Sequence, residues 1–121
     1  MTQPRPTAAE LVDAVRAFLD DDLLPDLQGR QRFHARVAVN VLGIVARELR
    51  DGPAATADER DRLAAWFAPG DEADSDELSR RLARAIRGGD LDIDDPDLLD
   101  HLRRTTASDL QIANPRYAPT D

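Results

Sequence analysis

An all-α fold, a five-helix antiparallel bundle around a long central second helix, is what this 121-residue chain predicts. Three observations carry that expectation. Apolar residues recur at helical spacing in each segment, with no strand-like alternation. Proline, glycine and aspartate clusters separate the segments by loops short enough to join antiparallel neighbours. Residues 30–50, inside the longest stretch without proline, are apolar around well over half the helix circumference, the mark of a helix covered by several others.

The elements follow in order. Residues 1–6 form a polar tail with two prolines, residues 7–117 a single helical domain, and residues 118–121 a C-terminal tail. Thr7 and Glu10 make a capping box ahead of Leu11, Val12, Val15, Phe18, Leu19 and Leu23, and Pro25 closes that first helix. Gly29 turns the chain into the second helix. Phe33, Val37, Val41, Ile44 and Val45 share one side of it, widened by Ala38, Leu42, Ala46 and Leu49. Asp51, Gly52 and Pro53 are expected to stop it. Thr56 and Glu59 form a second capping box that opens a third helix through Leu63, Trp66 and Phe67, which Pro69 and Gly70 end. An acidic loop, residues 71–76, precedes a fourth helix lined by Leu78, Leu82, Ala85 and Ile86 and closed by Gly88 and Gly89. Leu91 and Ile93 in the next linker are placed to tuck against the core. Asp95 caps a fifth helix with Pro96 at its first position, and Asn114–Pro115 ends it. Tyr117 is expected to pack back on the bundle.

Composition narrows the function classes. There is no cysteine, which removes disulfides and cysteine-based sites. All sixteen basic residues are arginine, which removes lysine Schiff bases and the phosphate-binding lysine of nucleotide loops. A net charge of −8 and five aromatic residues oppose nucleic-acid binding. The N-terminus carries no signal-like segment, and no apolar run reaches the ~20 residues of a membrane span. The expected protein is cytoplasmic, without membrane or nucleic-acid partners, and compatible with a homo-oligomer.

Local motifs add little chemistry. The acidic run Asp90, Asp92, Asp94, Asp95 and Asp97 lacks the glycine and glutamate of a calcium loop, because Asp95 and His101 stand in their places. His34 and His101 are the only histidines, and His101 reads as a surface residue. No metal site, catalytic set or cofactor site is expected.

Two polar features of the second helix remain. Arg30, His34 and Glu48 lie in line with Val41, near the middle of the apolar arc. With Asp22 from the first helix and Asp109 from the fifth, they suggest either a buried, satisfied ion network or a pocket for a small anion or for acid–base chemistry. The narrower polar strip of Arg36, Asn40, Gly43 and Arg47 is either a solvated face or a surface suited to docking a partner carboxylate.

The string GRQRFHARVAVNVLGIVARELR, preceded by ELVDAVRAFLDDDLLPDLQ and followed downstream by DLQIANPRY, resembles a family of small bacterial helical domains of unknown function. Arg30, Phe33, His34, Arg36, Asn40, Asn114, Pro115, Arg116 and Tyr117 carry the likeness. It runs over about residues 5–117, except for residues 54–76. The resemblance implies a gene set beside aminoglycoside-phosphotransferase-like kinases and acyl-CoA dehydrogenases, and a larger protein of one of those kinds as partner. A non-catalytic accessory module is the function expected. The alternative is a small anion-binding protein or enzyme using the Arg30 and His34 row.

Overall fold

The computed structural model describes residues 4–67 and 73–117. Among them stand four α-helices and no strand: α1 (Ala8–Ala17), α2 (Gly29–Phe67), α3 (Ser75–Arg87) and α4 (Pro96–Ala113). The all-α class holds, with four helices where five were expected. Pro69, Gly70 and the start of the acidic loop lie outside the described residues.

The difference in helix count arises at Pro53. The sequence predicts a stop there and a fresh start at Thr56, but α2 runs through both as one helix of 39 residues. Proline in a helix removes one hydrogen bond and crowds the carbonyl four residues back. Here that carbonyl belongs to Leu49. Leu49 and Pro53 are both exposed, so water can take the missing donor's place. Alanines at positions 54, 55 and 57 then favour continuing the helix. Glu59, freed from any capping duty, accepts a hydrogen bond from the Ser79 hydroxyl at 3.0 Å.

Packing divides the chain into two compact units, Met1–Gly52 with Ile112–Asn114, and Pro53–Gln111 with Pro115–Asp121. In the first unit, α1 begins at the expected capping box. Thr7 Oγ1 accepts from the Glu10 amide at 3.2 Å, and Glu10 Oε1 accepts in return from Thr7. The Arg5 guanidinium, hydrogen-bonded to Glu10, holds that carboxyl below its ordinary value, with smaller help from Thr7. At Phe18 the helix widens to a π turn through Leu23, and the Leu24 amide reaches back to the Leu19 carbonyl. The extra residue in that turn lets Leu24 be buried while Asp20, Asp21 and Asp22 stay exposed.

α1 packs on a line of small residues in the first half of α2. Val39, Gly43 and Ala46 are buried there, and Ala35 is half-buried. Arg16 of α1 lies over Gly43, where an added Cβ would come within 3.2 Å of its Nε. That Nε donates to the Val39 carbonyl at 3.3 Å. Arg50 pairs with Asp13, and Arg47 Nε donates to the Ile112 carbonyl at 2.8 Å, satisfying an acceptor in the last turn of α4.

The second unit has the denser core. Leu63 of α2, Leu78 and Leu82 of α3, and Leu98 of α4 are buried together. Trp66, Phe67, Ala73, Ile86 and Leu91 pack around them. Each such leucine contributes roughly 1.5–3 kcal/mol by leaving water. Asp74 caps α3, accepting from the Glu77 amide at 2.9 Å, and Gly89 ends the following turn at φ +80. Asp95 caps α4, accepting from the Asp97 amide at 2.9 Å, with Pro96 in the first helical position as expected. Ile93 and Tyr117 are both 68% exposed, so neither tucks against the core as the sequence suggested.

Candidate functional site

Two places in the fold have chemistry to consider. The first is built by residues Asp58, Arg62 and Trp66, spaced by four on α2, and His101 and Thr105, spaced by four on α4. His101 is 3% exposed, not at the surface where its neighbours in the sequence suggested. Its position three residues after the buried Leu98 turns it inward. Arg62 Nε donates to His101 Nδ1 at 3.0 Å, and Arg62 Nη2 donates to Thr105 Oγ1 at 2.9 Å. Arg62 also pairs with Asp58. Trp66 meets the imidazole edge-on, with ring centroids 5.4 Å apart.

This geometry fixes the protonation state of His101. An imidazole nitrogen that accepts from a guanidinium carries no proton, so the ring is neutral with hydrogen on Nε2. Burial lowers the pKa of His101 below its ordinary value, and the Arg62 charge lowers it further. Glu59, Asp100 and Asp58 oppose the shift. A buried ring with one nitrogen committed to Arg62 is poorly placed to meet a substrate. Among the described residues no buried side-chain polar atom lacks a partner, and the arrangement acts as a polar clasp between α2 and α4.

The second place is the outer side of the first half of α2. Phe33 is 65% exposed and Val41 51%, and Val37, Val45 and Leu49 are exposed as well. On α1, Leu11, Val15 and Phe18 form another exposed row. Monomeric proteins rarely leave contiguous apolar patches larger than a few hundred Å² uncovered. The apolar arc was expected to face inward at its centre, and the structure turns that centre outward. The side that meets α1 is the other one, where the Arg16 side chain lies over Gly43 and donates to the Val39 carbonyl. The bulkier valine line lies on the opposite side.

The residues proposed from sequence as a polar network ride on this outer side or stand apart from it. Arg30, His34, Glu48, Asp22 and Asp109 are all exposed, not buried. Arg30 and His34 are brought together, with Arg30 Nε donating to His34 Nε2 at 3.3 Å, while Phe33 meets the His34 ring edge-on. Of the second strip, Arg36 and Asn40 are exposed. Gly43 is buried under Arg16, and Arg47 is tied to Ile112. Sequence reasoning missed the Arg62–His101 clasp. Its signal was the four-residue spacing of Asp58, Arg62 and Trp66, together with the placement of Leu98, His101 and Thr105 on one helical face.

Among the described residues no group of three or more histidine and carboxylate side chains converges as a metal site needs. None of the described helices is long and apolar enough to cross a membrane.

A comparison with known families matches residues 25–117 to a domain of unknown function, DUF6285, and the chain belongs to that family. Neither the curated proteins nor the solved structures gave a match to the chain.

Proposed function

We propose, taking membership of that domain family as the premise, that this protein is a non-catalytic helical accessory module that works by binding another protein. The observation that carries the reading is the pair of exposed apolar rows, Phe33 to Leu49 on α2 and Leu11 to Phe18 on α1. Apolar surface of that extent is stabilised when a partner removes it from water. The acidic, lysine-free composition argues against nucleic acid as that partner. The sequence resemblance points to a larger phosphotransferase-like or acyl-CoA dehydrogenase-like protein of a bacterial cytoplasm. The alternative, an anion-binding pocket on Arg30 and His34, has the contact between those two side chains in its favour, but both are exposed rather than set in a pocket.

Co-expression with a candidate phosphotransferase-like or acyl-CoA dehydrogenase-like protein tests the reading. The expected result is co-elution in size exclusion at micromolar concentration, lost with Val15→Asp or Val41→Asp. Separate elution of the wild-type pairs would remove the proposed partners.

A further inference from the structure

The outer row of α2 is a palindrome about Val41. Phe33, Val37, Val41, Val45 and Leu49 follow at equal steps of four, so Val37 and Val45 are equidistant from Val41, as are Phe33 and Leu49. His34 and Glu48 each lie seven residues from it, about 10.5 Å along the axis in opposite directions. The central line His34, Val37, Val41, Val45, Glu48 has spacing three, four, four, three. That spacing keeps all five residues on one face of the helix, and it reads the same from either end.

Charge has the opposite symmetry. The N-terminal end of the row bears exposed Arg30 and His34, whereas its C-terminal end bears exposed Glu48 and Asp51. Arg47 and Arg50, the cations at that end, are already engaged with Ile112 and Asp13. His34 accepts from Arg30 at Nε2, which leaves Nδ1–H as the ring donor.

We infer that the partner of this row is a second copy of the same chain, paired antiparallel about a two-fold axis through Val41. In that arrangement Val41 meets Val41, Val37 lies beside Val45, and His34 of each copy faces Glu48 of the other. A self-complementary patch of this kind is what a closed two-fold dimer requires. Parallel pairing would instead set Arg30 beside Arg30 and Glu48 on Glu48, which like charge disfavours. The inference rests on the interaction-module reading and names its first partner.

The chain has no cysteine, so single cysteines test the geometry cleanly. Sedimentation equilibrium of the full chain is expected to show a concentration-dependent dimer. Val41→Asp is expected to weaken it by about a hundredfold or more, because it buries two carboxylates at the axis. Unchanged helix content by circular dichroism would show that the variant still folds. Glu48→Arg weakens the dimer by about tenfold, and adding His34→Glu restores it.

Under mild oxidation Val41→Cys links to itself. Val37→Cys alone does not, because the two copies of position 37 stand about 12 Å apart along the axis. A mixture of Val37→Cys and Val45→Cys does link. Self-linking at all three positions would overturn the antiparallel register. A wild-type chain that stays monomeric would overturn the self-association. If that monomer still binds a co-expressed partner through Val41, the interaction-module reading stands; if it binds none, that reading falls with it.

Discussion

Replacing Arg62 with methionine removes the clasp between α2 and α4 while keeping an unbranched stem in place. Arg62 has a side chain only 13% exposed and holds three partners. Its pairing with Asp58, whose carboxylate is 58% exposed, contributes no more than about 1 kcal/mol. Its bond to His101 has a charged donor and a buried acceptor, which is worth about 1.5–3 kcal/mol. The Thr105 hydroxyl can rotate toward another partner, so that bond adds only about 0.5–1 kcal/mol. Together these give an expected loss of about 3 kcal/mol for Arg62→Met. Urea unfolding followed by the fluorescence of Trp66, the sole tryptophan, reads the loss in the unit that contains the clasp. A loss below about 1 kcal/mol, the range of an exposed pair, would refute the account of Arg62 as the centre of a buried polar network.

The same site makes the second unit sensitive to acid. The folded-state pKa of His101 lies below the ordinary 6.5 because of burial, then Arg62. The unfolded chain therefore takes up a proton first as pH falls, so stability is full above about 6.5 and declines below it until the folded-state pKa is passed. His101→Asn should flatten that decline in Tm measured against pH. Leu63→Ala, at a side chain with no exposed area, should cost about 2–5 kcal/mol by leaving a cavity among Leu78, Leu82 and Leu98, measured by the same urea titration. Gly89→Ala should cost about 1 kcal/mol through backbone conformation alone, since no atom lies within 4 Å of the added Cβ while φ is +80; a neutral result in thermal unfolding would contradict that origin.

Most of the helix ends were legible because they depend on local chemistry. Thr7 with Glu10, Gly89, and Asp95 with Pro96 each act within one helical turn, and each stands where the sequence placed it. Pro53 was misread because its effect depends on whether the orphaned carbonyl reaches water, which no local pattern reports. The orientation of α2 was misread for a related reason. Apolar periodicity locates a greasy face but does not say which neighbour covers it. In this helix a line of small residues was the better guide to the helix contact than the line of valines. His101 illustrates the same limit, since its burial depends on an arginine 39 residues away in sequence.

The unbroken course of α2 through Pro53 separates geometric continuity from cooperative continuity. Its residues up to Gly52 belong to the unit that contains α1, whereas those from Pro53 belong to the unit of the leucine cluster. Hydrogen exchange is governed by whichever cluster must open, not by the length of the helix. A single helix can then display two opening free energies along its length, with the missing donor of Pro53 as the seam between them. Loosening either cluster would unwind one half of α2 while the other half keeps its turns.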